Sequence, residues 1–456
     1  MVNFKKKLAM VAAISAALAA PTAALATNGY FAHGYGTKTK GTVGAGVALS
    51  QDAMAAATNP AGMVMVGERL DIGAAIFSPS PRSYDAGPSA TGVPDGALCG
   101  ALCPLTIGGA GGDETVESGN DIFLIPHIGY NWMLGSDSSI GITVYGNGGM
   151  NTEYEGGSAQ HNDGLGTSVT TPGVFGAGTT GVDLAQLFIS TTYARKISDR
   201  ASWGVSGIVA YQRFEAKGLG LFGAFGLSND AANLTDNGTS TSTGFGAKVG
   251  VQGDVGSGVT LAASYQSEIA MSEFDEYAGL FAEKGGFDIP ATWTIGLAWE
   301  TSPKSTLVFD IQQIMYSDVP AIANPISNLN GCMGGDSTQC LGGSNGAGFG
   351  WEDMTIYKLG YQWDMSDMTW RVGYSKGDQP IPDSEIMFNI LAPAVIEEHL
   401  TFGLTKALNN KRELNFAFMY ALENSIESKA NPFDPTQDLK LEMTQYEFEM
   451  SYGMKF

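Results

Sequence analysis

Four cysteines, in the close pairs Cys99/Cys103 and Cys332/Cys340, are the residues of this chain best able to do chemistry. Thiolates so spaced can close small disulfide loops, or hold zinc if further ligands stand nearby. No histidine lies at ligand spacing from either pair, which favours two disulfides, Cys99–Cys103 and Cys332–Cys340, in an oxidising compartment. His33, His127, His161 and His399 are scattered, none four residues from another, and there is no Gly-x-Ser-x-Gly elbow. One Gly-x-Gly-x-x-Gly run, at Gly218, Gly220 and Gly223, lacks the parallel βαβ unit that dinucleotide binding requires. The carboxylate pairs Glu397-Glu398 and Asp275-Glu276 read as solvated rim groups rather than an acid–base pair. An enzyme is not indicated, and neither a cofactor nor a metal is expected.

The elements that would carry these residues are strands. In the terminal stretch, Tyr446, Phe448, Met450, Tyr452, Met454 and Phe456 share one parity, while Glu447, Glu449, Ser451, Gly453 and Lys455 share the other. Strict period two, with aromatics on one side and charge on the other, describes a strand between two different solvents. Residues 1–26 read as a secretory leader: Lys5 to Lys7, the apolar run Leu8 to Ala20, and the Ala24-Leu25-Ala26 cleavage site. That run is too short for a spanning helix. A leader followed by strands that end on an aromatic residue points to the bacterial outer membrane, where only closed barrels leave no backbone group unpaired.

From residue 68 onward the same theme recurs. The segments Leu70–Ile76, Ile128–Trp132, Ile140–Val144, Leu187–Tyr193, Trp203–Tyr211, Phe245–Val251 and Val259–Tyr265 alternate. So do Trp293–Trp299, Leu307–Ile311, Tyr357–Trp363, Trp370–Tyr374, Leu400–Leu404, Leu414–Tyr420 and the terminal one. The expected fold is therefore all-β, a fourteen-stranded antiparallel transmembrane β-barrel spanning 68–456. Short turns alternate with the long connections 79–120, 146–182, 318–350 and 424–438, consistent with periplasmic turns and external loops. The formal charge of −22 argues against a nucleic-acid partner, because phosphates would be repelled. Lipid and lipopolysaccharide of the outer membrane are the expected surroundings, and a monomer the expected state.

Residues 27–67 break the alternation. They are Gly-rich at first, with an Ala-rich run from Val47 to Thr58 that predicts a short helix stopping before Asn59-Pro60. Forty residues ahead of the first strand suit a small N-terminal hatch, or plug, inside the barrel.

The runs Asn28-Gly-Tyr-Phe31, Gly34-Tyr-Gly36, Gly41-Thr-Val-Gly-Ala-Gly-Val-Ala48 and Asn59-Pro-Ala-Gly-Met63 resemble the hatch of the FadL/TodX/OmpP1 family of outer-membrane transporters. The triplet Asn59, Pro60, Ala61 matches that family's hatch signature. Similarity continues through Ile125-Pro-His-Ile-Gly-Tyr-Asn131, Gly149-Met-Asn-Thr-Glu-Tyr154, Arg371-Val-Gly-Tyr374 and Leu400-Thr-Phe-Gly-Leu404. The resemblance implies passive uptake of long-chain fatty acids or similar hydrophobic molecules. It further implies a kink in the third strand that opens the wall and releases the ligand sideways. Gly146, Gly148 and Gly149 are the residues expected to form that opening, since glycines within a strand permit bulges.

A fatty-acid carboxylate would need a cation among apolar residues. Arg213 and Lys217, after the fifth strand, resemble the family segment that supplies basic pocket residues, although Arg213 has the outward parity of Tyr211. The neighbouring Leu219, Leu221, Phe222 and Phe225 form an apolar loop suited to ligand capture. Uptake of aromatic or alkane hydrocarbons is the alternative within transport. A surface-display or adhesion barrel is the alternative outside it. The hatch disfavours a general porin.

Overall fold

The computed structural model describes residues 27–90, 92–93, 105–109, 111–428 and 431–456. The leader and the Cys99–Cys103 pair lie outside the described residues. Fourteen strands close a ring. They are β1 Arg69–Ser78, β2 Phe123–Met133, β3 Ser138–Tyr154, β4 Thr180–Ser198, β5 Ala201–Lys217, β6 Ser240–Gly256 and β7 Val259–Gln266. The ring continues with β8 Thr292–Ser302, β9 Ser305–Ile314, β10 Met354–Met365, β11 Met368–Gly377, β12 Glu398–Asn409, β13 Arg412–Ser428 and β14 Leu439–Lys455. Each strand is antiparallel to its neighbour, and β1 closes the ring by pairing with β14 from Arg69↔Lys455 to Ser78↔Tyr446. Among the described residues no helix is long and apolar enough to cross a membrane.

The alternation acts as expected. Ile72, Ile76, Trp203, Val205, Val209, Phe245, Val249, Trp299, Tyr357, Phe402, Phe448 and Met450 are exposed on the outer wall. Their neighbours of opposite parity, such as Ser206, Lys248, Asp310, Lys358, Glu447 and Glu449, are buried. A strand that faces lipid on one side and a packed polar interior on the other must alternate in this way.

Several boundaries differ from the sequence reading. The strands run well past the alternating cores: β3 reaches Tyr154, β4 starts at Thr180, and the last long connection shrinks to the residues between Ser428 and Leu439. Arg213 and Lys217 lie within β5, not after it. Beyond the membrane-facing aromatics these strands continue as a paired rim, where charged outward residues such as Asp183 and Glu215 face apolar inward ones such as Leu184 and Phe214, which reverses the period-two signal. The expected Val47–Thr58 helix is reduced to Ala55–Thr58. The Asn59 side-chain amide donates to the Val47 carbonyl at 2.8 Å, removing the acceptor that a helical turn would use there.

The segment ahead of β1 is buried almost throughout and bonds to the inward faces of most strands. Lys40 Nζ lies 2.7 Å from both Glu447 Oε1 and Glu449 Oε2 on β14. Asp310 on β9 accepts from the Gly46 and Val47 amides at 2.8 and 3.0 Å. Lys358 on β10 donates to the His33 carbonyl, and Arg371 on β11 to the Gln51 side chain.

Candidate functional site

The β2–β3 ladder is short. It runs from Ile128↔Val144 to Met133↔Ser139, whereas β2 continues to pair with β1 as far as Phe123. Phe123 to His127 on one side and the upper half of β3 on the other have therefore separated. The cause is local. The β3–β4 register shifts between Gly146 and Gly148, so Asn147 is an extra residue and β3 turns away from β2. Asn147 is drawn inward, where its side chain bonds to Tyr35 at 2.8 Å and Gln186 at 2.9 Å.

The edge that β3 loses to the bulge is occupied by the N-terminal segment. Gly149 N donates to the Tyr30 carbonyl at 2.8 Å, Ala32 N donates to the Asn147 carbonyl at 3.0 Å, and Phe31 bridges Gly148. The backbones approach so closely that a Cβ on Gly148 would lie 1.8 Å from the Tyr30 oxygen, so only glycine fits. Gly146 serves a lesser role: its missing side chain leaves room for Ile125, whose Cγ2 would sit 3.1 Å from a Cβ there. Tyr30 and Phe31 then pack onto Tyr316, with ring centroids 5.3 and 5.9 Å away, and Tyr30 onto Trp351 at 6.0 Å.

At the long-connection end of the ring lies a narrow apolar cavity lined by Phe214, Leu219, Phe222, Phe281, Phe349 and Phe388, among others. Two of the four apolar residues singled out in the sequence, Leu219 and Phe222, line it directly. Leu221 and Phe225 are half-buried and packed against the surrounding core. Leu341 also lines the cavity, and the neighbouring Cys340 is joined to Cys332. The sequence reading missed Phe214, Phe281, Phe349 and Phe388. Phe214 carried a signal: as an aromatic of inward parity it breaks the polar pattern of the lumen face.

Arg213 and Lys217 do not line this cavity. Both point outward from β5, and carboxylates already match them. Arg213 Nη2 lies 3.0 Å from Asp183 on β4, and Lys217 Nζ 3.1 Å from Glu153 on β3 with Glu215 at 3.8 Å. Outward parity decides this, and no bulge in β5 turns them in.

Asn59, Pro60 and Ala61 pin the N-terminal segment to the wall. The Asn59 oxygen accepts from the Ala61 amide at 3.0 Å and caps the turn Pro60–Met65, while its amide reaches the Val251 carbonyl at 3.2 Å. Pro60 rests on Gly204 of β5 and Gly250 of β6, where a Cβ would collide with the triplet, and Ser202 Oγ donates to the Ala61 carbonyl at 2.8 Å. The charges beneath are strong. Burial alone would lower the Lys40 ammonium, but Glu447 and Glu449 outweigh it and hold its pKa up at about 12. Burial, with Lys40, His399 and Lys358 nearby, holds His33 well below its ordinary value.

The family described as outer membrane protein transport protein (OMPP1/FadL/TodX) matches residues 13–456. Among solved structures, the Pseudomonas putida toluene transporter TodX is similar at 17% identity, covering 93% of this chain and 99% of its own, with a TM-score of 0.61. A Pseudomonas aeruginosa FadL homologue aligns at 13% identity over 94% of this chain and 100% of its own, with a TM-score of 0.63. The Ralstonia pickettii toluene transporter TbuX gives 14%, 93%, 99% and 0.57. No curated protein matches the chain.

Proposed function

Since this chain belongs to the OMPP1/FadL/TodX family of outer membrane transport proteins, we propose that it takes up long-chain fatty acids or similarly hydrophobic molecules and releases them sideways through its wall. The observation that carries this reading is the parted β2–β3 ladder, with residues 30–32 laid against the free edge of β3. Residues 27–67 act as the hatch. They block the lumen to water and ions, which disfavours a general porin. An apolar solute gains about 25 cal/mol per Å² by staying out of water, so a sideways exit into lipid avoids a steep barrier. Entry runs through the cavity of Leu219 and Phe222; exit runs between Ile125 and Gly146.

The hydrocarbon alternative also has support. The apolar cavity is lined without a cation, Arg213 and Lys217 being taken up by carboxylates. The solved relatives TodX and TbuX are described as toluene transporters.

The double variant Ile125→Cys with Gly146→Cys tests the exit. Oxidation should tie β2 to β3 and cut uptake of oleate and toluene at least about tenfold, and reductant should restore it. Unchanged uptake in the oxidised, fully folded barrel would exclude a sideways route here.

A further inference from the structure

Three connections meet over the apolar cavity, and one short stretch holds them together. Residues 341–343, between β9 and β10, lie between the β5–β6 connection on one side and the β7–β8 connection on the other. On the first side Leu341 N donates to the Leu227 carbonyl at 2.9 Å, and the Leu341 carbonyl accepts from Asn229 N at 3.0 Å. The Asn229 side chain adds a bond to the Ser337 carbonyl at 2.7 Å. On the second side Glu283 N donates to the Gly343 carbonyl at 2.9 Å and Lys284 N to the Gly342 carbonyl at 3.2 Å. Gly342 has a φ of +78°, and a Cβ there would collide with the Ala278 carbonyl oxygen, so this approach requires glycine. Each connection tied in this way supplies wall to the cavity: Leu219 and Phe222 from the first, Leu280 and Phe281 from the second, Leu341 and Phe349 from the third.

The Cys332–Cys340 disulfide fixes where this staple sits. Its two cysteines are eight residues apart in sequence, and the second directly precedes Leu341. Cys332 belongs to the short helix Asn328–Met333, whose Leu329 is buried in the same core. The bond holds the two Cα atoms 4.7 Å apart, so Leu341 cannot drift from that helix as an open chain would allow. The cavity itself is about 30 Å³, room for one or two waters. A guest as large as a benzene ring enters only where the walls part, and packed walls resist overfilling. How far they part is set by what ties the three connections to one another.

We propose that the Cys332–Cys340 disulfide is a latch that limits the girth of the molecule the apolar cavity admits, by holding residues 341–343 as a staple between the other two connections. The proposal rests on the transport reading and adds size selection to it. With the bond closed, the walls part enough for a slim apolar molecule, a single ring or an unbranched chain, and a bulky branched one is refused. A dithiol opens the latch: dithiothreitol supplies two electrons and two protons, the S–S bond becomes two thiols, and the reductant closes its own ring disulfide.

The test is equilibrium binding of toluene and of 1,3,5-tri-isopropylbenzene to the full chain in detergent, for the native protein and for Cys332→Ser with Cys340→Ser. Heat-modifiable migration on gels checks that each barrel is folded. Losing the latch should lower the ratio of toluene affinity to tri-isopropylbenzene affinity at least about fivefold. Should the double variant fail to fold, reduction of a folded Cys99→Ser, Cys103→Ser protein by dithiothreitol makes the same comparison with no other disulfide present, and reoxidation should restore the ratio. An unchanged ratio, whether both affinities hold or both fall together, would overturn the proposal and leave the disulfide a loop stabiliser. Binding of neither ligand by the native protein would overturn the transport reading, and the latch with it.

Discussion

The two halves of the barrel interior are filled in opposite ways. Toward the short turns, the N-terminal segment is held by charge: Lys38 on Glu413 at 2.5 Å, Lys40 between Glu447 and Glu449, and Arg69 on Asp71 and Glu413. Toward the long connections the filling is aromatic, with Phe214 against Tyr277 and Phe281, and Phe222 against Phe175 and Phe388. The contrast follows from what each half must exclude or admit. A buried ion-pair network resists displacement, because moving one partner strands the other, which suits the stopper role proposed for residues 27–67. An aromatic filling is held by non-directional contacts and can be rearranged by an apolar guest.

Breaking the stopper should give the largest effect. Lys40→Ala leaves two carboxylates buried without their cation, at a cost of about 3–5 kcal/mol to hatch docking. Ion conductance across planar bilayers should rise sharply while the barrel remains folded; a silent pore would mean that the network does not seal. The same pair sets a pH limit. The Lys40 pKa is raised above its unfolded value, so its contribution is fully present below about 10.5 and is lost as the pH climbs through about 12. Glu447, Glu449 and His33 face it, and none of them takes up charge again in that alkaline window. Conductance should therefore rise as the pH climbs through that window.

Phe222→Asp breaks the other half. A carboxylate in the apolar cavity should weaken binding of oleate and of toluene by about 2 kcal/mol, roughly thirtyfold. Conductance should not change, because the stopper is untouched. Titration calorimetry in detergent reads the first and bilayer recording the second; coupled changes in both would erase the distinction between the halves.

The smallest effect belongs to the outer wall. Arg213→Ala with Lys217→Ala removes half-exposed ion pairs worth well under about 1 kcal/mol each. Affinity for carboxylate and neutral ligands alike should stay within about twofold of the native protein. A selective loss of carboxylate binding would return these residues to the ligand path.

The residues show why legibility was uneven. All fourteen strands were readable, because membrane and lumen act on adjacent residues and period two is the direct record of that asymmetry, as in Tyr446 to Phe456. The outward parity of Arg213 was readable too, and it was the warning that its resemblance to a pocket residue would not carry a lumen position. The Gly146 to Gly149 run marked where a strand could bend, since glycine admits a bulge, but not how far the gap would extend.

Membrane topology, strand order and the register of one face against another follow from the chain alone, because each depends on neighbours within a few residues. Two features arise only in the closed ring: the separation of β2 from β3 and the seating of Tyr30 on the freed edge. Each is set by groups far apart in sequence, such as Tyr30 with Tyr316, whose proximity exists only after β1 has paired with β14.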